Sequence, residues 1–313
     1  MRYLVIGGAG FIGSHVVKRI LSEELEAEVC IYDNFSSGKE KHLKEVLKSK
    51  RLYIYRDDIK KLDMLEKAMK QVDIVYSLAS NPDISKAITQ PDIDFWEGTY
   101  LINNVLEAMR KNNVKKLLYA SGSGVYGDVG AIVTNEDYSP MLPASTYGAS
   151  KLACEALICS YCKMFDMNAA AFRFANVVGP NQTHGVAYDF INKLKKDNSV
   201  LDILGDGNQS KSYIYITDIV DALRLIEKSY LHNYNYYNVA TLDYITVTEI
   251  ANIVVERMKC GLVPYRYAGG DRGWKGDVPV VRLDSNKIRR LGWKNQYTAH
   301  QAMVMSVDAM RQR

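Results

Sequence analysis

A tyrosine and a lysine four positions apart, in Tyr147-Gly148-Ala149-Ser150-Lys151, form the pattern in this chain best suited to proton transfer. On a helix, positions i and i+4 lie on one face, so the ammonium sits beside the phenol. A base acting near neutrality must hold its proton about 4 kcal/mol less tightly than free tyrosine, which titrates near 10. An ammonium about 5 Å away at an effective dielectric of about 20 contributes roughly 3 kcal/mol of this. The same spacing also suits a packed tyrosine beside a solvated lysine, so the pair acquires meaning only next to a second positive group.

That group is implied at the other end of the chain. Gly7-Gly8-Ala9-Gly10-Phe11-Ile12-Gly13 follows an apolar strand and opens a helix. There glycines let the backbone approach a pyrophosphate, and the helix N-terminus offers free N–H groups. Asp33 lies at the end of the second strand, where a carboxylate accepts hydrogen bonds from an adenosine ribose and repels a 2′-phosphate, which favours NAD over NADP. The cofactor wall expected from this pattern comprises Gly7, Gly10, Phe11, Ile12 and Gly13, then Asp33, Asn34 and Gly38, then Asp58 and Ile59, then Leu78, Ala79 and Ser80, and finally Tyr147 and Lys151. Asp58 suits either the adenine amino group or an ordinary helix cap. Lys39 and Lys41 read as solvated charges. An oxidised nicotinamide would bring the missing positive charge to Tyr147.

Six apolar runs suited to buried parallel strands (residues 2–6, 28–32, 52–55, 73–78, 116–121 and 168–173) alternate with helical stretches starting near Phe11, Gly38, Lys60, Ile84 and Ser145. Such alternation predicts an α/β fold with a Rossmann-type doubly wound parallel sheet. Beyond about Arg173 the rhythm loosens into Gly/Asn/Gln-rich connections, with helices near Tyr188, Thr217, Thr246, Ser285 and Thr298. The expected division is a dinucleotide-binding domain over 1–175 and a smaller α/β substrate-binding lobe over 176–313, with an interleaved boundary.

The composition of the 313 residues is that of a globular protein: 47% hydrophobic, 24% charged, 7 prolines. A net charge of +4, scattered rather than clustered, predicts no nucleic-acid or polybasic membrane role. No apolar run reaches about 18 residues, and the glycine-rich start argues against a signal peptide. Five cysteines without a paired framework fit a reducing, cytoplasmic setting. Cys159 and Cys162 form a CxxC deep within a helix, away from the N-terminus that would activate a thiol, and read as core residues. No metal site is expected, and the absence of a GxSxG elbow removes support for a serine hydrolase.

With Tyr126-Gly127 added, these motifs resemble the extended short-chain dehydrogenase/reductase family. Residues 173–180 (RFANVVGP) and 212–215 (SYIY) are similar to its NAD-dependent epimerase/dehydratase branch, and residues 183–186 and 269–277 most resemble the archaeal UDP-glucose 4-epimerases there. The resemblance implies tightly held NAD, a UDP-sugar substrate between the lobes and a homodimer packed through helices near Ile102 and Tyr147. It also implies epimerisation of UDP-glucose and UDP-galactose at C4. Relatives acting on UDP-N-acetylhexosamines or UDP-uronates, nucleotide-sugar reductases and a non-catalytic dinucleotide sensor are the alternatives. By the same resemblance Asn176 meets the substrate diphosphate, Lys211 replaces a phosphate-binding arginine, Arg272 is a further phosphate ligand and Asp277 meets the uridine ribose. His184 lines the sugar pocket or stabilises a turn.

Two departures stand out. The position where family members carry the Ser or Thr of a proton relay is Gly122, leaving Ser123 or Ser121 to supply the hydroxyl, or Tyr147 to act alone on the sugar hydroxyl. Where relatives commonly carry an Asn touching the cofactor, this chain has Gly98. Sugar-nucleotide 4,6-dehydratases have an Asp-Glu pair where this chain has Ser123-Gly124, which disfavours dehydration.

Overall fold

A computed structural model describes residues 1–312. Its strands are β1 (Arg2–Ile6), β2 (Glu28–Tyr32), β3 (Leu52–Tyr55), β4 (Ile74–Ser77), β5 (Lys116–Gly122), β6 (Asn168–Phe174), β7 (Asn176–Val178), β8 (Leu201–Ile203), β9 (Ser210–Lys211), β10 (Tyr213–Tyr215), β11 (Tyr234–Val239), β12 (Ile245–Thr246) and β13 (Tyr265–Tyr267). The α-helices are α1 (Phe11–Glu23), α2 (Leu62–Ala68), α3 (Tyr100–Lys111), α4 (Thr146–Phe165), α5 (Val186–Lys196), α6 (Ile216–Lys228), α7 (Val247–Met258), α8 (Asn286–Arg289) and α9 (Ala299–Arg311).

Seven parallel strands form the main sheet in the order β11-β6-β5-β4-β1-β2-β3. Both faces are covered, which is why β1 reads as an unbroken apolar run. Tyr3 and Val5 enter one core with Ile20 of α1 and Ile219 of α6, while Leu4 and Ile6 enter another with Leu65 of α2 and Val105 of α3. The strand order reverses between β1 and β4, and a crevice opens beyond the carboxyl ends of strands at such a reversal. The second half of the chain returns to this sheet, since β11 pairs with β6 and α6 packs on α1. Outside the main sheet, the second half of the chain forms the short pairs β7–β10, β9–β12 and β8–β13.

Local chemistry sets the helix ends. Ser145 caps α4 by accepting from Gly148 N, and Thr246–Glu249 and Thr298–Gln301 form reciprocal capping boxes at α7 and α9. Two crossovers differ from the pattern. After Gly38 the chain makes only a 3₁₀ turn, Glu40–Leu43, that buries His42 and Leu43. Near Ile84 a 3₁₀ turn ends at Ile88, Pro91 interrupts, and a π-type turn over Phe95–Thr99 leads into α3.

Candidate active site

A cleft of about 890 Å³ begins at the strand-order reversal and runs to the short sheets of the second half. At its floor, Gly7 has φ +76° and donates to Tyr32 O at 2.9 Å. A Cβ on Gly13 would lie 2.1 Å from Gly7 O, and one on Gly7 would lie 2.8 Å from Ala79 N. Side chains there would fill the cradle. The first-turn N–H groups of α1 have no intrahelical acceptor, and Phe11, Ile12 and Gly13 line the cleft. This backbone surface fits a diphosphate.

Asp33 is buried at the end of β2. Its carboxylate accepts from Ala9 N at 2.9 Å and Phe35 N at 2.8 Å, while burial pushes its carboxyl above the ordinary value. Gly38 does not line the cleft; it lets the following loop close on Ala9 and Asp33, where a Cβ would sit 3.0 Å from Asp33 Oδ1. Asn34 and Asp58 line the wall and are joined, Asn34 Nδ2 donating to Asp58 Oδ2 at 3.1 Å. Asp58 Oδ1 accepts Lys60 N at 2.9 Å, so Asp58 caps a turn as well as facing the cleft. Ile59, Leu78, Ala79 and Ser80 complete this end. The donors, the acidic wall and the apolar surfaces together fit a dinucleotide.

Tyr147 and Lys151 face the middle of the cleft from the first turns of α4. Lys151 Nζ is 5.5 Å from the Tyr147 ring centroid and 4.9 Å from that of Tyr119, and it donates to Ala120 O at 2.7 Å. The side chain is 4% exposed, so its charge acts across protein rather than water. Opposite this pair lies the Ser121–Tyr126 segment. Ser121 Oγ donates to Glu155 Oε1 at 2.6 Å, and Glu155 forms a buried ion pair with Arg173 at 2.7 Å. Arg173 Nη1 also donates to Tyr126 Oη at 2.9 Å and Glu136 O at 2.9 Å. Tyr126 in turn donates to Asn238 Oδ1 at 2.7 Å. The network anchors both ends of the loop and engages the Ser121 hydroxyl. Ser123 lines the cleft, and its hydroxyl has no hydrogen bond among the described residues. A Cβ on Gly122 would meet nothing within 4 Å, so the position is open space.

The far wall comes from β7, β9 and the Gly269–Asp277 loop. Asn176 lines it near the buried Tyr213, and its backbone N–H donates to Ser212 O at 3.2 Å. Lys211 Nζ pairs with Asp277 Oδ1 at 2.6 Å, and both line the cleft. The two expected ligands thus neutralise one another. His184 also borders the cleft as an exposed residue, and desolvation lowers its imidazole from the ordinary value against the attraction of Asp83. Arg272 departs from expectation. It does not line the cleft, because its guanidinium is held by Asp128 at 2.6 Å and Asp277 O at 3.1 Å.

Several residues have no role assigned to them from sequence alone. Trp274 lines the cleft and packs under Gly276, where a Cβ would lie 2.5 Å from the ring; a tryptophan between glycines is the trace it left. Arg173 in an otherwise apolar strand called for a buried acid, and Glu155 is that partner. Gly98 is explained by packing: a Cβ there would come within 2.3 Å of Ser150 Oγ. Among the described residues no His/Cys/Asp/Glu group is placed to hold a metal ion, and no helix is long and apolar enough to cross a membrane. Cys162 is buried and its thiol pushed up to about 12 by desolvation, as a core cysteine should be.

A family model described as the NAD dependent epimerase/dehydratase family matches residues 3–240. A putative UDP-glucose 4-epimerase of Methanocaldococcus jannaschii is 30% identical over 315 aligned positions, covering 98% of both chains. A UDP-galactose 4-epimerase of solved structure is 34% identical with a TM-score of 0.88, covering 100% of this chain and 99% of the other. The UDP-glucose 4-epimerase of Thermus thermophilus, solved in complex with NAD, is 28% identical with a TM-score of 0.88, covering 99% of both.

Proposed function

Because this chain belongs to the NAD dependent epimerase/dehydratase family, we propose that it interconverts UDP-glucose and UDP-galactose by inversion at C4 of the sugar. One observation carries the reading: the Tyr147–Lys151 pair lies on the same cleft as the glycine turn on one side and Asn176, Lys211 and Asp277 on the other. When bound, NAD supplies reversible hydride acceptance at the sugar carbon. The turn at Gly7–Gly13 would hold its diphosphate, and Asp33 the adenosine ribose.

Tyr147, as the phenolate, takes the proton of the sugar 4-hydroxyl and gives it back to the same oxygen once the turned sugar presents the other face of C4 to the nicotinamide site. Lys151 stabilises that phenolate through its charge, and its bond to Ala120 O fixes where the charge sits. Ser123 relays the proton, because the Ser121 hydroxyl is directed to Glu155. The UDP moiety stays anchored by Asn176, Lys211 and Asp277 while the sugar turns. Lys211 exchanges its Asp277 partner for phosphate, which frees Asp277 for a ribose hydroxyl. Arg272 has no part in the anchor, since it braces the loop through Asp128.

Ser123 and Gly124 offer no acid–base pair, which favours epimerisation over elimination of water. The same reading includes a homodimer through α3 and α4, whose outer surface exposes Met164, and it is checked by light scattering. The deciding experiment is incubation with UDP-galactose without added NAD. Conversion to UDP-glucose is expected; its absence at every substrate level in folded, dinucleotide-loaded protein would falsify the assignment.

A further inference from the structure

Tyr147 and Lys151 are interleaved with a second pair at the same spacing, Thr146 and Ser150, and both of these residues hydrogen-bond to one residue outside the helix. Thr146 Oγ1 donates to Asp94 Oδ2 at 2.7 Å, and Ser150 Oγ to Asp94 O at 2.6 Å. Asp94 is 2% exposed, and its other carboxylate oxygen accepts from the buried Asn81 Nδ2 at 2.9 Å. No ion pair to Asp94 exists among the described residues, so its negative charge is supported by neutral donors and by its place at the first turn of the 20-residue helix α4, where the helix dipole favours an anion. Thr99 Oγ1 shares a 2.9 Å hydrogen bond with Ser150 Oγ and closes the contact from the next turn.

The approach is unusually tight because residue 98 is glycine, the same Gly98 that departs from the family pattern; any Cβ would strike Ser150 Oγ. The segment Asp94–Thr99 and the start of α4 are therefore locked face to face. Successive helical residues are rotated by about 100°, so fixing Thr146 and Ser150 from one side fixes the direction in which Tyr147 and Lys151 point on the adjacent side.

We propose that Asp94 is a positioning residue for the catalytic tyrosine: through Thr146 and Ser150 it sets the rotation and entry of α4, and thereby the aim of Tyr147 into the cleft. It touches no reacting atom. This inference rests on the assignment of Tyr147 as the base. Proton transfer needs the donor and acceptor within hydrogen-bond reach, and misplacement by about 1 Å can cost about 10² in rate.

The test is the double variant Thr146→Val/Ser150→Ala, which removes both bonds to Asp94 while keeping the volume nearly constant. UDP-galactose turnover without added NAD should fall tenfold or more in kcat, with KM within twofold and bound NAD unchanged. Thr146→Ser, which keeps the hydroxyl, should stay within threefold of the parent. Asp94→Asn, a milder change, should lower kcat with KM again unmoved. A double variant with kcat within twofold of the parent, or one whose kcat loss only follows a loss of folded protein and NAD, overturns the proposal. Tyr147→Phe separates the two readings: full activity in that variant refutes the base itself, whereas an inactive Tyr147→Phe beside a fully active double variant refutes only the clamp.

Discussion

Lys151→Met keeps a long apolar stem and deletes one charge. The deleted ammonium lies 5.5 Å from the Tyr147 ring centroid, in a slot where the side chain is 4% exposed. Opposite charges at about that separation and an effective dielectric of about 20 attract by about 3 kcal/mol. Lost from the phenolate, this corresponds to about a 10²-fold slower rate at 25 °C. Ala120 O also loses its 2.7 Å donor, at a stability cost of about 1 kcal/mol. The assay is conversion of UDP-galactose to UDP-glucose without added NAD, beside a measurement of dinucleotide content and a urea unfolding curve. The expected result is NAD-loaded, folded protein with kcat lowered by about 10². If that protein turns over within threefold of the parent, the charge on Lys151 does not sustain the base, and the electrostatic reasoning fails.

Three further outcomes follow from the same geometry. Ser123→Ala should slow turnover by about 10² with unchanged unfolding, whereas Ser121→Ala, which strips a donor from buried Glu155, should cost about 1–2 kcal/mol in urea unfolding and leave kcat within a few fold; equal effects on kcat would refute this division. Gly98→Ala forces Ser150 out of its rotamer and away from Asp94 and Thr99, for an expected loss of about 1–2 kcal/mol read from the urea midpoint. His15 is pushed below its ordinary value by burial, against a 3.0 Å hydrogen bond with Pro180 O, so the folded chain holds fewer protons there than the unfolded one. Its effect on stability is absent well above about pH 6.5 and grows as pH falls through that value. Urea midpoints at pH 7.5 and 5.5 should therefore differ less in His15→Asn than in the parent.

Much of this molecule is written in local patterns. The first strands, the glycine turn and the capped starts of α4, α7 and α9 depend on neighbours within a few positions, as hydrophobic runs, backbone freedom at Gly7 and side-chain caps do. For the same reason the Tyr147–Lys151 face and Asp33 at a strand end were legible, because a helix repeat and a strand end fix where such side chains emerge. The crossovers after Gly38 and Ile84 were less so: what replaces a helix there is packing of His42 and Leu43, and chain breaks at prolines.

What only tertiary structure decided is how groups distant in sequence share their hydrogen bonds. Ser121 and Ser123 are equivalent in the sequence, and they diverge because Glu155, 34 positions from Ser121, takes one hydroxyl. Arg272 and Lys211 both looked like phosphate ligands, but Asp128 draws the first out of the cleft, and Asp277 meets the second within it. Asp94 had no motif at all, yet 52 residues separate it from the Thr146 hydroxyl it accepts. Local sequence determines where a side chain leaves the backbone; which partner satisfies its charge or proton is settled only when the sheet order and helix packing bring that partner within about 3 Å.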